Sequence, residues 1–199
     1  MWIYEKRLQY PVNITKTDAR IAKIIASQYG GPDGEIGASM RYLSQRFTAP
    51  NRVCMAVLTD VATEELGHLE MVSTIVHQLT ANLTVEEIEK QGFADYYVDH
   101  AVGIWPQSAG GIPFNSCEFQ SKGDPITDLT EDMAAEQKAR TTYDNILRLV
   151  DNEEVKKVIR FLRAREIVHY QRFAEGLEYL KTKLDPDNVY ICNPSFDAH

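Results

Sequence analysis

The stretch Thr63-Glu64-Glu65-Leu66-Gly67-His68-Leu69-Glu70 decides how the chain is read. Within it, Glu65 and His68 form a Glu-x-x-His step inside a long segment of helical apolar periodicity. Residues three apart on a helix share a face, so the carboxylate and the imidazole can reach one point together. Such a pair aimed inward is half of a metal site in the core of a helix bundle. Taken alone, the step is a weak signal, and a buried Glu and a buried His satisfied by their neighbours is the commoner reading.

A second copy shifts the weighing. Glu166-Ile167-Val168-His169 stands 101 residues later, and the same offset carries Glu35 onto Glu136 and Tyr42 onto Tyr143. It also carries Ala38 onto Ala139, Val57 onto Val158, Val61 onto Leu162, Val76 onto Leu177 and Leu79 onto Leu180. Each half therefore has a lone Glu and, 30 residues on, a Glu-x-x-His. Self-similarity at a fixed offset is a statement about architecture and precedes local assignments.

The pattern predicts an all-α four-helix bundle in one domain, residues 1–199. Residues 1–16 carry Trp2, Ile3, Tyr4, Leu8, Tyr10 and Val12 with Pro11 among them, and read as an extended arm lying on the bundle or on a neighbouring subunit. Helical periodicity begins at Thr17-Asp18 and is broken or kinked by Gly30-Gly31-Pro32-Asp33-Gly34. Glu35 follows at once and leads a stripe through Ala38 and Tyr42 that ends near Phe47. Asn51 caps a second helix over 52–79, whose seam of Leu58, Val61, Leu69, Val72, Val76 and Leu79 contains Glu65 and His68. Glu64 and Glu70 fall off that seam and read as solvated carboxylates; His77 faces elsewhere.

Residues 80–124 form a long crossover, with a short helix expected over Val85 to Gln91 and His100 in a surface or capping role. Two antiparallel hairpins need such a link. A third helix starts after Asp124-Pro125 and carries Glu136 in its seam; a fourth runs from about Glu153 to Leu184. Residues 185–199 read as an irregular tail suited to contact with another subunit.

The first two helices turn near residue 50, with Glu35 and Glu65 flanking the turn by about 15 residues each. At ~1.5 Å rise per residue both lie ~22 Å from it and so face each other. Glu136 and Glu166 flank the second turn, near residue 151, in the same way. Stacking the halves brings four Glu and two His to the middle of one bundle. Without cations, four carboxylates so close and so dry repel, and each costs several kcal/mol in desolvation. Protonation relieves part of that cost and two divalent cations relieve it better, and oxygen ligands with imidazole suit manganese or iron.

The remaining composition narrows the field. The chain has 199 residues, 44% of them hydrophobic, and a formal charge of −8 with no basic run, which argues against nucleic acid or an anionic membrane as partner. No apolar run approaches the ~20 residues of a membrane span, and Met1 to Arg7 shows no signal-peptide core. Cys54, Cys117 and Cys192 are widely spaced, which fits an intracellular, reducing setting.

Several stretches carry a family resemblance. They are the opening Met1-Trp2-Ile3-Tyr4-Glu5-Lys6-Arg7-Leu8-Gln9-Tyr10-Pro11, Gln28 to Glu35, Thr63 to Glu70, Lys122-Gly123-Asp124-Pro125 and Arg165 to His169. With them the chain resembles the ferritin-like di-metal carboxylate proteins, and among these the manganese catalases of the short, spore-coat-associated type. The resemblance implies a ferritin-like bundle with two manganese ions. Glu35 and His68 would bind one ion and Glu136 and His169 the other, with Glu65 bridging both.

The resemblance also implies that Glu166 lies beside the metals rather than on them. Since peroxide cleavage needs protons on the spot, Glu166 is the candidate catalytic proton shuttle, with a further metal ligand, as in di-iron relatives, as the other reading. The resemblance implies a catalytic role for Tyr42 too, hydrogen-bonded near Glu35. Tyr143 reads as a core aromatic with its hydroxyl satisfied. Ala135 stands where some members carry a basic residue just before the third Glu. The implied reaction converts two hydrogen peroxide molecules into dioxygen and two waters. The implied assembly is a homo-oligomer, a hexamer, in the spore coat with other coat proteins as partners. Two other readings share the residues: a di-iron ferroxidase or peroxidase, and a coat structural protein that keeps metal only for stability.

Overall fold

The structure is a computed structural model that describes residues 3–5, 7–92, 94 and 104–184. Six α-helices stand among the described residues: α1 (Ala19–Gly30), α2 (Glu35–Gln45), α3 (Arg52–Thr80), α4 (Val85–Lys90), α5 (Pro125–Leu149) and α6 (Glu153–Lys181). The expected first helix is two helices, because the Gly-Gly-Pro-Asp-Gly run ends α1 and restarts the backbone at α2. Gly31 N–H closes α1 on Ser27 O, and Gly34 caps α2 from an extended conformation.

The helix starts follow local chemistry. Asp18 accepts from Ile21 N, Asn51 from Cys54 N, Asp124 from Thr127 N, and Asn152 from both Glu154 N and Val155 N. Each satisfies donors that a first turn leaves open. Pro125 takes the first position of α5, where a missing N–H costs nothing. Thr84 and Glu87 close a capping box on α4.

The bundle is all-helical, with α1 and α2 together forming one of four rods. The α2–α3 and α5–α6 hairpins meet through α3 against α6 and through α1 and α2 against α5. Two apolar clusters fill the core. One holds Ile21, Ile25, Met71, Ile75, Val155, Ile159 and the Tyr143 ring. The other holds Leu58, Val61, Leu129, Phe173, Leu177 and the Tyr42 ring. On each rod the two clusters are separated by the residues between them, and there stand Glu35, Glu65 and His68, Glu136, and Glu166 and His169. The two hairpin turns lie at opposite ends, so the link from α3 to α5 runs the bundle's full length, ~40 Å at ~1.5 Å per helical residue.

That link is fastened where α1 breaks. Gly30 packs against the backbone of Pro106 and Gln107, a space in which a β-carbon would lie 2.2 Å from Gln107 N. Ser108 and Ile112 pair across a tight loop, and Arg41 Nη2 donates to Glu118 O at 3.2 Å. The arm lies along its own bundle. Tyr10 stacks on Phe161 at 4.8 Å, Gln78 accepts from Ile14 N at 2.7 Å, and Tyr4 Oη donates to Glu70 at 2.5 Å. None of the described helices is long and apolar enough to cross a membrane. His100 and the tail over 185–199 lie outside the described residues.

Candidate metal centre

Helical spacing brings Glu65 and His68 onto the inner face of α3, and Glu166 and His169 onto that of α6; all four are buried. One ligand-type atom from each of these four lies within 4.8 Å of the others. Glu35 on α2 and Glu136 on α5 are buried in the same layer.

The Glu65 carboxylate is central. Its Oε2 meets His68 Nδ1 at 2.7 Å, and its Oε1 lies 2.5 Å from His169 Nδ1. The two imidazoles stack at 5.3 Å between centroids and 22° between planes. Glu136 Oε2 lies 3.5 Å from His169 Nδ1, and Glu166 Oε1 lies 3.9 Å from His68 Nδ1.

Charge is unevenly held in this layer. Burial, then the charge of Glu65, pushes the carboxyl of Glu35 well above the ordinary range, and that of Glu166 likewise. Burial would also raise Glu65, but the two imidazoles outweigh it and hold it low. Burial would lower His68, yet Glu65 lifts it to about 10; His169 moves the same way for the same reasons.

Cations fit this donor set. Glu65 Oε1, Glu136 Oε2, Glu166 Oε1 and His169 Nδ1 are buried without a completed hydrogen bond, although the first and last of these nearly touch. Such close approach without hydrogen-bonding geometry is what donors aimed at a common point look like. Buried polar atoms otherwise find partners, and a cluster of oxygen and imidazole nitrogen donors takes a hard or borderline divalent metal.

Two expectations change, and a third gains a partner. Tyr42 Oη donates to Glu136, not near Glu35. Seven residues separate Tyr42 from Glu35 along their helix, and the long phenol reaches across to α5 instead. Tyr143 is satisfied, as expected of a core aromatic, but its partner is Glu35, so it too borders the layer. These two contacts exchange under the 101-residue offset, which makes them one contact seen twice about a pseudo-twofold axis.

Glu64 is not a solvated carboxylate. Its side chain is 20% exposed, and it pairs with Arg165 Nε at 2.6 Å. It also accepts from Gln9 Nε2 at 2.7 Å and lies 3.1 Å from His169 Nε2. The burial of Asp128 and Asp132 on α5 was also missed by the apolar pattern. Asp132 accepts from Gln45 Nε2 at 3.0 Å, and burial pushes its carboxyl well up.

A family model described as manganese containing catalase matches residues 1–190. The chain belongs to the manganese catalase family. Protein CotJC of Bacillus subtilis strain 168 is 46% identical over 190 residues, covering 96% of this chain and 100% of that protein. A manganese catalase of Bacillus subtilis is 28% identical, over 94% of this chain and 73% of its own length. The crystal structure of KatB, a manganese catalase from Anabaena PCC7120, superposes with a TM-score of 0.84 at 30% identity, covering 96% of this chain and 86% of that one. The ferritin-like fold of manganese catalases is therefore the fold of this chain.

Proposed function

We propose that the chain is a dimanganese catalase that converts two molecules of hydrogen peroxide into dioxygen and two waters. The observation that supports this most is the meeting of two Glu-x-x-His turns, which set Nδ1 of both stacked imidazoles against the one carboxylate of Glu65. In this reading Glu35 and His68 hold one cation, Glu136 and His169 hold the other, and Glu65 joins them. The donor chemistry suits manganese or iron, and family membership favours manganese. When bound, a pair of manganese ions supplies one electron change per ion, which matches the two electrons each half-reaction moves.

The protein's own groups handle protons and orientation. One peroxide loses two protons and two electrons as it becomes dioxygen. The other gains two of each as its O–O bond breaks. We assign the proton traffic to Glu166, whose Oε1 is buried, has no completed hydrogen bond and faces the centre. The hydroxyls of Tyr42 and Tyr143 orient Glu136 and Glu35, and the apolar clusters on either side keep bulk water out.

The test is metal analysis of protein produced with manganese and iron both present, beside an oxygen-release assay. The expected result is about two manganese per chain, as in other two-metal centres, with oxygen evolved on adding peroxide. Retained iron with no oxygen would overturn it in favour of a di-iron ferroxidase or peroxidase. Metal retention and assembly with no turnover under either metal would favour a metal-stabilised coat protein. Light scattering on the same sample is expected to show a homo-oligomer, a hexamer by family resemblance. Immunodetection in purified spore coats checks the coat placement and the coat partners that the resemblance implies.

A further inference from the structure

Glu64 is the one carboxylate in contact with both imidazoles that the reading above leaves without a task. It stands at the edge of the layer, facing the cleft between the arm and α3. Arg165 grips it through Nε to Oε1 at 2.6 Å and through Nη2 to Oε2 at 3.1 Å. Gln9 from the arm donates to Oε1 at 2.7 Å. On the inner side, Oε2 lies 3.1 Å from His169 Nε2 and Oε1 lies 3.5 Å from His68 Nε2. Both Nε2 atoms are buried and complete no hydrogen bond, and the Glu64 carboxylate is the acceptor that stands beside both of them.

A metal-binding imidazole donates its second ring N–H to a partner that fixes tautomer and ring orientation. Here one carboxylate lies within reach of both rings, because it stands beside the pseudo-twofold axis. The repeat explains how. The 101-residue offset carries Glu64 onto Arg165, so equivalent positions of the two halves face each other across the axis. A second Glu there would oppose like charges. The Arg instead neutralises the first Glu through a two-pronged contact that also fixes its orientation.

Resting on the dinuclear reading, we infer that Glu64 is a positioning residue that holds the Nε2–H of both His68 and His169, so that both Nδ1 atoms stay turned toward Glu65 and the cations. Arg165 and Gln9 hold Glu64 in turn. Loss of this one side chain, which need ligate nothing, therefore loosens both halves of the centre together.

The test compares wild-type protein, E64Q, E64A and the control E70Q, all full-length, stripped with chelator and reloaded with manganese alone. Glu70 lines the same cleft but accepts from Tyr4 and is not among the groups beside either imidazole. Equilibrium dialysis gives the affinity, and electron paramagnetic resonance reports coupling between the two ions. The expected result for E64Q and E64A is roughly 10- to 100-fold weaker binding of both equivalents with an altered coupled spectrum. E70Q should match wild type. If E64A fails to fold by circular dichroism, E64Q decides, since it keeps the shape and loses the charge. E64Q that binds both equivalents as tightly as wild type, with an unchanged spectrum, overturns the inference alone. Wild-type protein that takes up no manganese overturns the dinuclear reading, and this inference with it.

Discussion

Glu64 and Glu65 are neighbours in sequence with opposite surroundings. Glu65 is fully buried between two Nδ1 atoms, and Glu64 meets the Nε2 atoms and two donors from outside the layer. The apolar seam of α3 marks Glu65 and His68, because a charge inside such a seam is conspicuous. It is silent on Glu64, whose partners lie on α6 and on the arm. The signal that finds Glu64 is the offset, which places an Arg at the related position; a reading of one helix cannot supply it. Tyr42 was misplaced for a similar reason, since helical spacing tells which residues share a face and not how far a phenol reaches. Glu166 is the residue whose role is sharpest to test. His169→Ala is expected to lose one metal and nearly all turnover. Glu166→Gln is expected to keep two metals by elemental analysis while oxygen release slows by 10²-fold or more, about what one positioned proton-transfer group contributes. A metal missing from Glu166→Gln would place that residue among the ligands.

At the scale of elements, the four rods were legible because their caps and breakers are local. Asn51, Asp124 and Asn152 each stand immediately before a helix. The course of the crossover was not legible, since its fastening depends on a tertiary contact at Gly30. That contact separates two glycines with opposite expected outcomes. A β-carbon at Gly30 would meet backbone at 2.2 Å, and backbone cannot step aside as a side chain can. Gly30→Ala should cost about 1–3 kcal/mol in urea unfolding. At Gly176, inside α6, the nearest atom to a β-carbon is Val57 Cγ1 at an ordinary 3.7 Å. Gly176→Ala should be neutral or stabilise by up to about 1 kcal/mol. Equal effects at the two sites would mean that the crossover does not rest on α1 as described.

For the whole molecule, the repeat is the feature that joins fold to chemistry. Each hairpin supplies one Glu-x-x-His and one lone Glu, and neither encloses the centre by itself. A ligand that binds only the folded form stabilises it by RT ln(1 + [L]/Kd), about 2.7 kcal/mol at a hundredfold excess over Kd. Manganese-loaded protein should therefore melt at a higher temperature than the chelator-treated protein, read by calorimetry. Coincident melting curves would show that no cation is held between the hairpins.

The tether from α3 to α5 has a bearing on time as well as on topology. Each hairpin closes through a short turn and can form early, but the two must find each other at the end of a long leash. On the proposed dinuclear reading, cations held between the docked halves would be enclosed from both sides, and their release would call for the halves to loosen as well as for single coordinating bonds to break.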